Sequence, residues 1–470
     1  MPSQKLRHPN LTLAIITLSY LMLVIDLSVA VTALPVIKAD LGFSTAALSW
    51  IQNAYTLAFG GLLLLGARVG DLLGRRRMFA WGLAFFMGAS LLVGLSNSAG
   101  LMIIARILQG VGAAVLAPST LALLSTSFPE QPARGRALAI YGSITGIGTT
   151  LGLVLGGWIA EAFNWRWAFF ANVPLGIALI LGAKFFIQET SRLRARLDIW
   201  GAITSTVGMT AIVFALIYAA EFGWSDALAF TCILTGVGFL LIFIAVEKRA
   251  VMPLVPLRLF NSPQRTGANL ARALFVGSMG AFWFFVSQFL QIAKGMNPLE
   301  TGLAFLPMTL ASFAIAFFVP ALSRKFGDTP FLAGGLATVA VGTIWLSQFT
   351  ASGSYLLEIA LPMLLVGIGQ GASTIRLTSA GIAGVSPEDA GAASGLVSTH
   401  VQLGSSLGLS ALIALASSVS SKAASGVSLG AGEMIAHQAN IALLGGGILC
   451  LAALVIVLIF VLPKKHQVGD

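Results

Sequence analysis

Asp26 lies about halfway along an apolar run, Leu11 to Pro35, that is long enough to cross a bilayer. An ionised Asp at the centre of a spanning helix costs about 2.5–3.5 kcal/mol on insertion scales, so a carboxylate kept there points to function. The chemistry it offers is proton uptake and release. Burial favours the neutral acid and hydration the ionised one, so a cycle that alternately dries and wets the group becomes a proton cycle. A cationic substrate needing the ionised acid would compete with the proton for it. The other reading of a lone intramembrane Asp is a structural hydrogen bond to a neighbouring helix. His400, in a later apolar run, is a second group able to titrate near neutrality, or a neutral imidazole bonded to a neighbour.

The other acidic residues place Asp26 apart. Of seventeen, Asp40, Asp71, Glu130, Glu189, Asp198, Asp226, Glu247, Glu300, Asp328, Glu388, Asp389, Glu433 and Asp470 fall in hinges, tails or span ends. Glu161, Glu221 and Glu358 fall in outer turns, which leaves Asp26 as the only acid in mid-span. No HExxH, nucleophile motif, Walker A run or catalytic carboxylate pair occurs, so neither an enzyme nor a nucleotide-driven pump is expected, and no cofactor or metal is implied. Cys232 and Cys450 both sit in apolar runs, without disulfide or zinc spacing.

The elements that must position these groups are membrane spans. The chain is 57% apolar and 9% charged, with 52 glycines in 470 residues, unlike a soluble domain. Its net charge of +10 is spread over short hinges, which leaves no basic domain to hold nucleic acid. Fourteen apolar runs of spanning length recur, the first read as a retained span rather than a signal peptide, the sixth from Trp167 to Ile187 and the last from Ile441 to Leu462. With the N-terminus inside, the outer hinges hold only Lys38, Arg166, Lys294 and Lys422, against eighteen Lys and Arg in the inner ones, so both termini are expected on the cytoplasmic side. The fold expected is an all-α polytopic membrane protein of 14 transmembrane helices: a six-helix bundle over 1–190, two inserted helices over 191–250, a proline-bearing cytoplasmic linker over 251–267 and a second six-helix bundle over 268–470. A shift of 253 residues places Gly74 on Gly327 and Gly82 on Gly335, a weak echo of parallel repeats.

The inner hinge after the second run reads Gly66-Ala-Arg-Val-Gly70-Asp71-Leu-Leu-Gly74-Arg75-Arg76-Arg77. Its small residues let helix ends approach, Asp71 can accept from a helix N-terminus, and Arg75 and Arg76 can bind helix C-termini or acids, which suits a breakable latch or a positive-inside anchor. This hinge closely resembles that of the major facilitator superfamily, and the chain is similar over nearly its whole length to the fourteen-span drug:proton antiporter branch. The likeness runs through Asp26-Leu-Ser-Val-Ala-Val-Thr-Ala-Leu-Pro35, Trp50 and Tyr55, Arg106-Ile-Leu-Gln109-Gly110-Val-Gly112, Trp165-Arg-Trp-Ala-Phe-Phe-Ala-Asn-Val-Pro174 and Ala390-Gly-Ala-Ala-Ser-Gly-Leu396.

The resemblance implies a proton-coupled antiporter that exports lipophilic, cationic drugs or antiseptics across the cytoplasmic (inner) membrane by alternating access, acting as a monomer. It implies that Arg106 modulates proton binding at Asp26 and that Gly148, Gly152, Gly156 and Gly157 form the antiporter motif of the fifth span. It also implies a central cavity to which Trp50, Gln52, Tyr55, Phe59, Gln109, Trp283, Phe284 and Gln288 contribute, although lipid contact or helix packing would account for each. The chain departs from the branch at Leu153, where a proline is usual, at Ala139 in place of the first motif glycine, at Val31 in place of an Asn beside Asp26, and at Arg376 in place of a proline. A narrower exporter, of a metabolite or one antibiotic class, and a non-transporting membrane sensor are the alternatives. The expected orientation is checked by accessibility. In a Cys232→Ser/Cys450→Ser background, a cysteine replacing Asn97 should react with an impermeant maleimide in intact cells, and one replacing Arg77 only after permeabilisation; the opposite pattern inverts the topology.

Overall fold

The computed structural model describes residues 8–128, 133–189, 197–250, 252–327, 329–385, 389–423 and 430–462. Within the described residues the structure is helical and without strands, and fourteen helices are long and apolar enough to cross a membrane. Helices are the expected answer, because in hydrocarbon each backbone N–H and C=O must be bonded within its own segment. In chain order they are α1 (Pro9–Leu41), α2 (Trp50–Leu73), α3 (Arg75–Gly94), α4 (Ala99–Ser127), α5 (Ala133–Ala162), α6 (Trp165–Phe170), α7 (Asn172–Phe186), α8 (Ile199–Phe222), α9 (Ala227–Arg249), α10 (Pro263–Gln288), α11 (Pro298–Ala304), α12 (Leu306–Phe326), α13 (Thr329–Leu346), α14 (Leu361–Gly381), α15 (Ala390–Ala423) and α16 (Ala431–Ile456). Of the basic residues that set the expected orientation, Lys5, Arg7, Arg192, Arg194, Arg196, Lys464 and Lys465 lie outside the described residues.

Local chemistry fixes the ends of these helices. The side chains of Ser98, Asn164 and Ser262 accept from Leu101, Arg166 and Arg265 backbone N–H groups at the starts of α4, α6 and α10. The expected sixth span is broken at Ala171 into α6 and α7, because Pro174 has no N–H to offer the carbonyl of Phe170. That break sets where Asn172 points.

The chain packs as two units: Met1–Met209 with Phe239–Leu254 and Met296–Leu303, and Thr210–Gly238 with Val255–Gly295 and Ala304–Asp470. The expected partition into bundles at 1–190 and 268–470 stays a proposal beside it. In the first unit α1 lies against α5 at backbone distance. A Cβ at Gly152 would stand 2.6 Å from Ser28 Cβ and 3.0 Å from the Ile25 carbonyl oxygen, so only glycine fits there. Gly148 and Gly156, one turn to either side, face Val24 and Val29, so the three glycines form the surface on which the Asp26 segment rests. α5 is unbroken at Leu153, which is buried. The interior of this unit is filled by Tyr55, Phe79, Phe86 and Leu123 among others.

In the second unit α15 crosses α10 through Gly404 and Gly408, against Ala273 and Gly277. The ring of Phe289 stacks on Phe349 with centroids 3.7 Å apart. Arg258, on the short turn Leu257–Asn261, donates Nε and Nη2 to the two carboxylate oxygens of Asp389, each at 2.7 Å, so part of the expected linker is tied to the end of α15. Enlarging the α1–α5 contact is the direct check on this packing. Gly152→Val should cost about 1–3 kcal/mol through overpacking, seen as a lowered unfolding temperature in detergent, whereas Gly142→Val, at an open position on the same helix, should leave it unchanged.

Candidate functional site

The first unit encloses Asp26 completely: its side chain and that of Arg106 are both fully buried. Arg106 Nη1 donates to Asp26 Oδ2 at 2.7 Å, while Gln109 Nε2 and Asn172 Nδ2 donate to Oδ1 at 2.6 and 2.9 Å. The arginine and glutamine stand three residues apart on α4 and so share one face; the asparagine comes from the first position of α7, just past the break that Pro174 imposes.

The donors are themselves held. Arg106 Nε donates to the Ile51 carbonyl at 2.8 Å, and Nη1 gives its second proton to Gln109 Oε1 at 2.6 Å. Ser90 Oγ accepts from Gln109 Nε2 at 2.8 Å and from Asn172 Nδ2 at 3.3 Å, and donates to the Phe86 carbonyl at 2.8 Å. The guanidinium lies 4.6 Å from the Tyr55 ring centroid and 6.0 Å from that of Phe169, placing its positive charge against two aromatic faces. Asp26 is therefore met by a permanent cation and by hydrogen-bond donors only. Both carboxylate oxygens are thus supplied with partners of the kind an ionised acid needs.

Sequence reasoning expected Asp26 with Arg106, and the structure brings them together. It also moves Gln109, expected in the cavity, into this buried network. Asn172 and Ser90 were missed as site residues: an amide and a hydroxyl barely register in hydropathy, although an Asn in an apolar run two residues before Pro174 was the available signal. His400 belongs to the second unit, where its Nδ1 is 2.7 Å from the Leu396 carbonyl of its own helix.

At the hinge Asp71 pairs with Arg75, four residues on along the chain. The N-terminus of α3 is met not by Asp71 but by Glu189, whose carboxylate accepts from the backbone N–H groups of Arg76 and Arg77 at 2.9 and 3.1 Å. Gly74, with φ at +101°, allows this approach, since a Cβ there would stand 2.7 Å from Glu189 Oε1. Arg76 also donates to the Ile187 carbonyl at 3.2 Å. At the opposite end of α1, Asp40 accepts from Arg166 at 2.6 Å and from Trp165 Nε1 at 3.0 Å.

Of the remaining expected cavity residues, Trp50 and Gln52 are half-buried near the start of α2, while Tyr55 and Phe59 are buried further along it. Trp283 is half-buried with its ring 5.0 Å from that of Phe305, and Phe284 and Gln288 are fully buried in the second unit. Gly157 turns away from Gly156's contact, facing the backbone at Pro298. Arg376 reaches toward the Val319 carbonyl at 3.5 Å. Among the described residues no group of three or more His, Cys, Asp and Glu side chains could hold a metal ion.

Comparison with known proteins agrees with this anatomy. The chain is 40% identical over 405 residues to the cephamycin export protein of Amycolatopsis lactamdurans, spanning 85% of this chain and 83% of that one. It is 37% identical over 405 residues to the puromycin resistance protein of Streptomyces alboniger, covering 85% and 80%. An uncharacterized transporter of Mycobacterium tuberculosis is 35% identical, covering 85% and 75%. In fold, the chain is similar to a bacterial homolog of the human lysosomal transporter Spinster, in an inward-facing conformation, with a TM-score of 0.67 at 16% identity and 96% of each chain covered. It is also similar to an auto-inhibited POT family peptide transporter, with a TM-score of 0.68 at 15% identity and 99% of each chain covered. The Major Facilitator Superfamily profile matches residues 16–198 and 191–409, and with these relatives it establishes that the chain belongs to that superfamily of membrane transporters.

Proposed function

We propose that this transporter is a proton-coupled antiporter that exports lipophilic drugs across the cytoplasmic membrane by alternating access, with both termini inside. The observation that carries the proposal is the buried Asp26–Arg106 pair, built around the one carboxylate that lies in mid-span. A charge pair with fully buried side chains is a poor way to gain stability, since desolvation of the two ions offsets most of their attraction. Its retention in a transporter is accounted for if Asp26 takes up a proton in one conformation and releases it in another. Drug export is supported by the relatives, whose names describe export of or resistance to cephamycin, puromycin, methylenomycin A and tetracenomycin C.

The pairing also bears on how drug and proton share the site. Asp26 already holds a guanidinium at 2.7 Å, so a cationic drug using this carboxylate would have to displace Arg106. We therefore assign the exchange at Asp26 to the proton, and drug contact to groups other than this carboxylate, such as the half-buried Trp50 of the first unit. If one proton enters per drug leaving, a monovalent cation moves no net charge, whereas a neutral drug moves one, worth about 2.3 kcal/mol per 100 mV.

The test uses proteoliposomes with an imposed pH gradient, and ethidium and puromycin as probes. Asp26→Asn should insert normally yet lose gradient-driven uptake to the level of empty liposomes, and wild-type rates from it would end the proposal. At a fixed pH gradient, ethidium exchange in the wild type should be insensitive to an imposed potential. Acceleration of that exchange by the potential would exclude one-for-one coupling.

A further inference from the structure

We propose that Asn172 is the group that answers the protonation state of Asp26, offering Nδ2 to the carboxylate and, after rotation of its amide, Oδ1 to the carboxylic acid. The inference rests on the reading of Asp26 as the proton site. It follows from an imbalance in the network: both oxygens of Asp26 are met by donors alone, namely Arg106 Nη1, Gln109 Nε2 and Asn172 Nδ2. One proton taken from solvent turns one oxygen into an O–H group, which is then a donor facing donors. A buried hydroxyl without an acceptor is costly, so one neighbour has to change what it presents.

Only one of the three is placed to do so. Arg106 has no acceptor atom. Gln109 is pinned from both ends: its Oε1 accepts from Arg106 Nη1 at 2.6 Å, and its Nε2 also donates to Ser90 at 2.8 Å. Turning that amide would put an NH2 group against the guanidinium. Asn172 is not pinned in this way. Its Oδ1 accepts no hydrogen bond among the described residues, its second donor bond, to Ser90, is the longest in the cluster at 3.3 Å, and Ser90 keeps Gln109 as a donor when Asn172 turns.

The remaining charged or titratable neighbours cannot take the role. Tyr55 of α2 lies under the guanidinium rather than on the carboxylate. Tyr20 of α1 is stacked on Tyr141 of α5 at 4.4 Å, and the hydroxyl of Tyr141 is engaged with Thr120. From α6, Phe169 faces Arg106 with a ring, and α5 meets this stretch of α1 with glycines. The step itself is one proton added to Asp26 and later returned to solvent, with an amide rotation and no other bond made or broken, and the charge of the Asp26–Arg106 pair changes from zero to +1.

The measurement is infrared difference spectroscopy between pH values on the full-length protein in liposomes, with no substrate required. The carbonyl band of protonated Asp26 is identified by its loss in Asp26→Asn, and the amide band of Asn172 by asparagine isotope labelling and its loss in Asn172→Leu. The expected result is an Asn172 amide band that changes with the same pH midpoint as the Asp26 carboxyl. Asn172→Leu, which neither donates nor accepts, should raise that midpoint by about 1 pH unit, the difference between the hydrogen bond lost to the charged form and the weaker one lost to the neutral form. Asn172→Ser, whose hydroxyl does both, should hold it within about 0.5 unit. If no asparagine amide band of the isotope-labelled wild type changes while a carboxyl band titrates, the inference is overturned, and this result needs no variant. Equal midpoints for wild type, Leu and Ser overturn it as well. If Asp26→Asn loses gradient-driven export while the amide band is constant, this inference alone fails. If Asp26→Asn keeps export, the proton site itself is elsewhere and both fail.

Discussion

Burying the Asp26 carboxylate in apolar surroundings would drive it toward its neutral form unless each oxygen found strong partners, and the rest of the first unit can be understood as supplying them. The cation comes from α4, held on the Ile51 carbonyl and over the ring of Tyr55. One amide comes from α4 and one from α7, and both are steadied by Ser90 of α3. The glycines of α5 bring α1 to backbone contact and so fix the register of the segment that carries the acid. Five helices therefore have their positions set by what two oxygens need, and displacing any one of them removes a donor or the support of a donor.

The network is complete around the carboxylate and incomplete elsewhere. Arg106 Nη2 and the Tyr55 hydroxyl, both fully buried, have no hydrogen-bond partner among the described residues. Groups of this kind are expensive in a purely structural cluster, where selection for stability would satisfy them or replace them with apolar atoms. Under the proposed proton cycle, this unused donor capacity would let the guanidinium and the phenol take other partners when the charge of Asp26 changes.

Much of this architecture was legible in the sequence, for physical reasons that can be named. Spans were legible because hydrocarbon demands about 20 apolar residues per crossing, and fourteen such stretches appear as fourteen helices. Asp26 was legible because a charge in such a stretch is expensive. Its neutral partners were not: Ser90 and Asn172 cost little to bury and so leave no mark on hydropathy, and their roles depend on a contact 82 residues apart in the chain. Glu189 was hidden for a similar reason, since the helix start it satisfies lies more than a hundred residues earlier. Val31, where the branch usually carries an Asn, read as the loss of a polar neighbour for Asp26. The structure supplies an amide from a different helix, through Asn172, so the need is met by tertiary contact that no local pattern could reveal.

The two units also separate what is repeated from what is not. Gly148 and Gly152 of α5, at the crossing with α1, have counterparts 256 residues on in Gly404 and Gly408 of α15, at the crossing with α10. The packing device is thus present twice. At the same spacing Asp26 is answered by Phe282 and Arg106 by Pro362, neither able to carry a charge. Of the arginines in the second unit's helices, Arg272 and Arg376 donate to the carbonyls of Thr374 and Val319. A close helix crossing needs only small residues and serves rigidity in either unit. A buried ion pair carries a desolvation cost each time it is built, so under the proposed proton exchange at Asp26 one copy suffices.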